Sequence, residues 1–393
     1  MLKKYLLPLF ALFLTLACNK DDSNSDSNST PTVVLTLIDG ITAISASAEA
    51  NVSNDGGEPI LSKGVCWSVT PNPDINDNKT NNGSGSGAFL SILNNLTSET
   101  QYYVRAYATN SLGTIYSEEE IFTTLENIFN NGIGLATQEE VEIFGANNYV
   151  KITGNVLITK EVVDLSPLAS IREIQGQLII RNTTNLETLE GLDNLERVRD
   201  LRLSSNAVLR HMNNLQNLME ITGNFSLGSN HELLSIQGLS NVTSIQDYIW
   251  IQSNSKLSSL NGLENISVVN NSLYISSNHT LETIEALSNL EVVNGRLRIS
   301  SNEILVNLNG LENLTTVNGV FEIYQNYIVQ NLDPLSQLTS VSEGMEIVNN
   351  DLLDDFCGLT PLIVGNGLEG GLSTSQNAYN PTEQDIRDGN CSI

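Results

Sequence analysis

Asparagine recurs every 24 residues through the second half of the chain. The positions are Asn182, Asn206, Asn230, Asn254, Asn278, Asn302, Asn326 and Asn350. Apolar residues follow each asparagine on the same grid, for example Leu305, Leu308 and Leu311 after Asn302. Such a period predicts coils of equal length stacked along one axis, each of which buries its apolar side against its neighbours. We therefore expect a solenoid over residues 151–356.

A short apolar-x-apolar segment precedes each asparagine. Because side chains alternate along a strand, the two apolar residues face the core and the residue between them faces outward. Nine such strands are expected to lie side by side in a parallel sheet. Their core pairs are Val156/Ile158, Leu178/Ile180, Leu201/Leu203, Phe225/Leu227, Ile249/Ile251, Leu273/Ile275, Leu297/Ile299, Phe321/Ile323 and Met345/Ile347.

The repeated asparagine itself lies where the chain turns after each strand. An amide side chain carries both a donor and an acceptor, so it can bond the turn backbone and its counterpart one coil away. We expect a buried structural ladder of amides. The alternative is a row of exposed amides that binds a ligand.

The outward residues change from one coil to the next, and we predict that they carry recognition. The candidate ligand-binding residues are Tyr248, Trp250, Tyr274, Arg296, Arg298 and Tyr324. Trp, Tyr and Arg are enriched at binding hot spots, and exposed aromatic rings can stack on sugars. The alternative is that tall side chains only cover the sheet.

Glu322 and Glu346 lie on adjacent strands of the outward column, and paired carboxylates serve glycoside hydrolysis. A carbohydrate-active enzyme is therefore the alternative function. Charge pairing with Arg298 explains the same residues more simply. The histidines have no partner at a zinc spacing, and no nucleophile elbow or nucleotide loop is present. We expect no enzyme, no metal and no cofactor.

Residues 32–125 have a different pattern, with short alternating segments between clusters of Gly, Asn, Pro and Ser. This pattern predicts a β-sandwich, in which Tyr102 would bond back to the turn after Leu96. Residues 126–150 are expected to cap the solenoid. In this cap, Thr137-Gln-Glu-Glu140 predicts a capping box and a short helix through about Phe144.

The first residues combine Lys3 and Lys4 with an apolar run too short to cross a bilayer, which predicts a signal peptide over residues 1–17. Residues 18–31 contain a Ser/Asn/Asp tract and are expected to form a flexible tether. The ending Leu14-Thr-Leu-Ala-Cys18 resembles the lipobox of bacterial lipoproteins, which implies lipidation at Cys18. Lys20-Asp-Asp22 resembles the export tag of Bacteroidetes-type lipoproteins. These resemblances imply an outer-membrane protein facing the cell exterior.

Two family resemblances follow from these motifs. Residues 32–125, with Gly64-Val-Cys-Trp67 and the Tyr102 corner, resemble fibronectin type III modules. The Gly-Leu-x-x-Leu-x-x-Val arm of the repeat resembles leucine-rich repeats of the receptor L-domain type. Together they imply a mainly β protein with a sandwich and a right-handed solenoid with a recognition surface, and residues 357–393 resemble its closing cap.

The remaining cysteines follow from this location. In an oxidising compartment Cys357 and Cys391 are expected to form one disulfide, whereas Cys66 is expected to be a buried thiol. The formal charge is −27, from 45 acidic against 18 basic residues. A nucleic-acid partner is therefore excluded, because no cationic footprint is present. The expected partners are a glycan or an extracellular protein, and the outer membrane through the lipid.

Overall fold

The computed structural model of the chain describes residues 28–393. The predicted signal peptide, the lipidation site Cys18 and residues 19–27 of the predicted tether lie outside this part. The chain divides into two compact units between Leu125 and Glu126. Within the described residues, no helix has both the length and the apolar character that a membrane crossing requires.

The first unit consists of two antiparallel sheets around one apolar core. Its strands are β1 (Thr32–Asp39), β2 (Ser45–Asn54), β3 (Ser62–Ser68), β4 (Asn78–Lys79), β5 (Gly87–Asn94), β6 (Gln101–Asn110), β7 (Gly113–Tyr116) and β8 (Glu120–Thr123). One sheet has the order β1-β2-β5 and the other β4-β3-β6-β7, with β8 also paired to β6. Ala48 and Leu93 from the first sheet and Val65 and Val104 from the second are fully buried in the same cluster.

Two local predictions in this unit are confirmed. The backbone amide of Thr97 donates to the hydroxyl of Tyr102 at 3.0 Å, which ties the turn after Leu96 to strand β6. Cys66 is fully buried in β3, and this burial raises the pKa of its thiol to about 11. The unit therefore holds its turn through a side-chain hydroxyl and keeps its thiol away from solvent.

The second unit is a solenoid of stacked coils. Its strands are β9 (Ile128–Phe129), β10 (Ile133–Leu135), β11 (Lys151–Ile152), β12 (Val156–Lys160), β13 (Glu173–Thr183), β14 (Arg197–Ser204), β15 (Glu220–Ile221), β16 (Phe225–Gly228), β17 (Ser244–Ile245), β18 (Ile249–Gln252), β19 (Val268–Val269), β20 (Leu273–Ser276), β21 (Val292–Val293), β22 (Leu297–Ser300), β23 (Thr316–Val317), β24 (Phe321–Tyr324), β25 (Ser340–Val341), β26 (Met345–Val348) and β27 (Leu372–Ser375). Its helices are α1 (Gln138–Gly145), α2 (Thr360–Val364) and α3 (Glu383–Arg387).

The predicted parallel sheet is confirmed. All nine predicted strands pair in the predicted order, from β12 through β13, β14, β16, β18, β20, β22 and β24 to β26. The ladder also extends beyond the prediction, because β10 pairs with β12 at one end and β27 with β26 at the other. The open face is defined here as the outward side of this ladder.

A second parallel ladder runs along the solenoid and was not predicted. Its members are mostly two-residue strands, such as β19, β21 and β23, in which Val268 pairs with Val292 and Val292 with Thr316. The chain bends directly after each of them into the longer strand. In β13 and in β14 the short strand and the longer strand of the coil are continuous, so each of these two strands belongs to both ladders.

Short 3-10 turns close several coils on the remaining side. They lie at Ser166–Leu168, Asn213–Leu215, Gln237–Leu239, Glu285–Leu287, Asp333–Leu335 and Cys357–Leu359. Gly262 shows how tightly this side packs: its φ is +120°, and a Cβ there would lie 2.3 Å from the carbonyl oxygen of Ile236. Only glycine fits, since other residues rarely adopt this φ and the space is already filled.

The asparagine ladder is present, and its members from Asn206 to Asn350 are fully buried. Asn278 is typical: its Nδ2 donates to the carbonyl oxygen of Ile251 at 3.0 Å, and its backbone amide donates to Oδ1 of Asn302 at 3.2 Å. Asn377 in the C-terminal segment continues the ladder, because its Oδ1 accepts from the amide of Asn350 at 3.0 Å. The structural interpretation of these asparagines is confirmed.

The prediction is wrong at the first position. Asn182 is exposed, and the ladder position belongs to Thr183, whose Oγ1 donates to Oδ1 of Asn206 at 2.9 Å. Asn182 instead has a φ of +53°, in the left-handed position that Ser205 occupies one coil later. The coil from Thr183 to Asn206 is one residue shorter than the 24-residue period, so spacing alone pointed to the wrong residue.

Both ends of the solenoid carry stabilising features. The capping box at the start of α1 is confirmed, with the Thr137 side chain bonded to the Glu140 amide and the Glu140 side chain bonded to the Thr137 amide. The predicted disulfide between Cys357 and Cys391 is also confirmed. These contacts close the first and last coils, whose cores have no neighbour on one side.

Candidate functional site

One column of the open face lies in the register that the sequence predicted. Each residue pairs with its counterpart on the next strand, and the order is Arg202, Ser226, Trp250, Tyr274, Arg298, Glu322 and Glu346. Neighbouring strands lie about 4.8 Å apart, so large side chains on adjacent coils come within contact distance in this column.

Three aromatic residues form a continuous cluster, termed here the aromatic patch (Tyr248, Trp250 and Tyr274). The rings of Trp250 and Tyr274 are 4.9 Å apart between centroids and tilted by 32°. Tyr248 meets Trp250 edge to face, at 6.5 Å. Trp250 is 40% exposed, and its Nε1 donates to Oε1 of Gln252 at 2.6 Å. This bond orients the indole, and the ring remains accessible on the sheet.

The predicted arginines lie beside the patch, and both are bonded to a single carboxylate. Glu322 is only 3% exposed. Its Oε1 accepts from Nη1 of Arg296 at 3.0 Å and from Nη2 of Arg298 at 2.8 Å, and its Oε2 accepts from Nε of Arg298 at 2.6 Å. These hydrogen bonds raise the pKa of the Arg298 guanidinium above its ordinary value. Both arginines are thus paired within the protein, and the single carboxylate offsets one of their two positive charges.

Tyr324 is tied into the same network. Its hydroxyl bonds a carboxylate oxygen of Glu346, and the Arg298 guanidinium lies 5.7 Å from the centroid of its ring. Burial raises the pKa of Tyr324, and the bond to Glu346 raises it further. The structure therefore brings the predicted residues into two adjacent groups, the aromatic patch and an internally paired ionic network.

Sequence reasoning did not single out the residues on the other side of the patch. Strand β16 presents two small residues outward: Ser226 lies between Arg202 and Trp250, and Gly228 lies between Ser204 and Gln252. The signal was available in the sequence, since these small residues occupy the same columns as the aromatic ones. Neither residue has a side chain large enough to cover the Trp250 ring, and Trp250 is 40% exposed.

The structure offers no metal centre within residues 28–393, since no group of three or more His, Cys, Asp or Glu could hold an ion there. His231 instead bonds the hydroxyl of Ser255 at 2.9 Å, and His279 lies 3.2 Å from Glu303. Each of these histidines contacts a residue of the following coil.

The fold and the open face define a repeat protein with a parallel-sheet surface compatible with a binding role. Residues 148–222 match the family Receptor L domain. This match supports the receptor L-domain resemblance over the first coils. No curated protein matches the chain.

Solved structures show weaker likenesses. The sensor domain of the anti-sigma factor RsgI4 from Pseudobacteroides cellulosolvens has a TM-score of 0.20 at 19% identity, covering 25% of this chain and 98% of that one. Domains A168–A170 of titin have a TM-score of 0.19 at 23% identity, and the match covers 25% of this chain and 32% of that one. Pectate lyase PelI from Erwinia chrysanthemi, in complex with tetragalacturonic acid, has a TM-score of 0.17 at 12% identity, and the match covers 82% of this chain and 86% of that one. All three TM-scores are low, so these structures assign neither a fold nor a function.

Proposed function

We propose that the chain is a surface-anchored binding protein that recognises a glycan or an extracellular protein on the open face of its solenoid. The observation that carries this proposal is the aromatic patch. Trp250 is exposed on a regular sheet whose hydrogen-bonded strands hold its backbone, and Tyr248 and Tyr274 flank it. Aromatic rings on a rigid support lose little conformational entropy on binding and present a large apolar surface.

The proposal includes the finer architecture and the location. The first unit would be a fibronectin type III-like sandwich acting as a spacer, supported by its two antiparallel sheets and the Tyr102 corner. The second would be a right-handed leucine-rich-repeat solenoid, supported by the family match. Cleavage of residues 1–17 and lipidation of Cys18 would anchor the protein in the outer membrane, facing the exterior. These last points rest on the sequence motifs.

We also propose that the chain is not an enzyme acting through Glu322 and Glu346. Both oxygens of Glu322 accept hydrogen bonds from guanidinium groups, and the residue is buried beneath them. Glu346 bonds the hydroxyl of Tyr324. Charge pairing therefore accounts for Glu322, and the hydrogen bond with Tyr324 accounts for Glu346.

The test is binding of the full chain to arrays of glycans and extracellular proteins. Replacing Trp250 and Tyr274 together by Ala should abolish retention on the ligand that the unchanged protein selects. The control is Tyr327→Ala, because Tyr327 is 37% exposed, close to the 40% of Trp250, but follows the ladder position Asn326 and lies outside the strands. Unchanged retention by the Trp250/Tyr274 variant would refute the proposed face.

A further inference from the structure

A depression lies next to the aromatic patch, on the outward side of strand β16. It is termed here the trough (Ser226 and Gly228). Ser226 is bordered by Arg202 on β14 and Trp250 on β18, and Gly228 is bordered by Ser204 and Gln252 on the same two strands. A Cβ built on Gly228 would have only the Gln252 carbonyl oxygen within 4 Å, at 3.8 Å, so the space above this residue is open. The α-carbons of Arg202 and Trp250 are two strand spacings apart, about 10 Å. The trough is thus about one strand wide, with a cation at one edge and an indole at the other.

Arg202, unlike Arg296 and Arg298, makes no ion pair among the described residues. Its Nε is buried and has no hydrogen-bond partner among the described residues. The carboxylate of Asp200, on the same strand, is already bonded by Arg199, Gln177 and Asn224. The Arg202 guanidinium as a whole is partly exposed, so its remaining N–H groups are available to an anionic group placed in the trough.

The outward residues around the trough favour a glycan over a protein. Strands β16, β18 and β20 present hydroxyl, amide and aromatic side chains, namely Ser226, Trp250, Gln252, Tyr274 and Ser276, together with Gly228. None of these three strands presents an aliphatic side chain outward, so the apolar surface beside the trough consists of aromatic rings alone. A sugar ring needs one aromatic face to stack on and polar groups for its hydroxyls, and both are present here.

We propose that the trough is a subsite for an anionic glycan, with a sugar ring stacked on Trp250 and a carboxylate or sulfate bonded to Arg202. This inference rests on the proposed function and narrows its ligand class. The formal charge of the chain is −27, so the protein as a whole repels polyanions. Retention of such a polymer must therefore come from a local site.

The experiment measures dissociation constants of the full chain for matched pairs of polysaccharides. Hyaluronan is compared with its methyl ester to test the carboxylate, and dextran sulfate with dextran to test the sulfate. We expect binding to one charged polysaccharide and little binding to its neutral partner. Added NaCl should weaken the binding of the charged polysaccharide. Arg202→Gln should raise the dissociation constant roughly tenfold or more, and Arg202→Lys should raise it less.

Matched variants make the result specific. Arg210→Gln removes the same charge from an exposed residue outside the strands and should leave binding unchanged. Thermal unfolding of each variant verifies that the fold is retained. Trp250→Ala should weaken binding to the same charged polymer, whereas Tyr327→Ala should not.

The outcomes separate this inference from the function on which it rests. Equal binding of charged and neutral partners, lost in Trp250→Ala but not in Arg202→Gln, would overturn the anionic subsite and leave the glycan-binding face intact. Array selection of a protein, with no glycan bound, would overturn the subsite while the open face remained a binding surface. Binding that survives both substitutions would overturn the subsite and the face together.

Discussion

The backbone amide of Asn254 donates to Oδ1 of Asn278 at 3.0 Å, so an amide side chain from one coil completes the turn of the coil before it. The same bond recurs from Asn206 to Asn350. Each asparagine thereby accepts from one coil and donates to the carbonyl of a preceding strand. The ladder satisfies buried backbone groups that no water can reach.

Asn278→Ala should lower the free energy of unfolding by about 1–3 kcal/mol, because the Asn254 amide and the Ile251 carbonyl oxygen both lose a partner. Chemical unfolding measures the change. Asn270→Ala is the control: its amide is exposed and bonds only the exposed side chains of Gln246 and Asn294, so the expected effect is within about 0.5 kcal/mol. Equal unfolding of the two variants would contradict the ladder's role.

Glu322→Gln should also destabilise the solenoid. The change replaces a carboxylate oxygen by an NH2 group that faces the donors of Arg296 and Arg298. Because both guanidinium groups are partly exposed, the expected loss is modest, about 1–2 kcal/mol. Glu346→Gln, at an exposed position, should change stability by less than about 0.5 kcal/mol. A Glu322 variant that unfolds like the unchanged protein would show that the pairing is dispensable.

Loss of the Cys357–Cys391 disulfide should destabilise the last coils. The bond joins residues 34 positions apart, and loop entropy for that length gives about 4 kcal/mol. The Cys357→Ser/Cys391→Ser variant should therefore unfold at a lower denaturant concentration, and it should not respond to reducing agent. The unchanged protein in reducing agent should behave like the variant. If reducing agent does not shift the unfolding midpoint of the unchanged protein, the disulfide does not make this contribution.

Cys66 should be unreactive in the folded protein. The thiolate is the reactive form, and burial raises the pKa of this thiol from 9.0 to about 11. At pH 8 the unchanged chain and Cys66→Ser should give the same thiol titre, and they should differ by one equivalent only in denaturant. Because the folded pKa is raised, this group's contribution to stability is present below about pH 9 and is lost as the pH rises toward 11. Rapid labelling of native Cys66 at pH 8 would contradict its burial.

Several features could be predicted from the sequence because they depend on local periodicity. The 24-residue spacing and the alternation within Leu297-Arg-Ile299 determined the solenoid, its nine stacked strands and the order of the outward column. A parallel stack of equal coils places like positions in register, so a one-dimensional pattern becomes a two-dimensional surface. The Tyr102 corner and the capping box at Thr137 were predictable for the same reason, since each lies within a few residues.

Other features were decided only by the tertiary structure. One coil is one residue shorter than the others, and this places Thr183 in the ladder instead of Asn182. The buried position is determined by hydrogen-bond geometry and not by residue type. The partner of each arginine also depended on packing: Arg296 and Arg298 converge on Glu322 from two columns, whereas the buried Nε of Arg202 has no hydrogen-bond partner in the described part of the chain. A long side chain can reach several neighbouring residues, and the packing determines which of them it bonds. This pairing determines which cationic side chains remain available for a ligand.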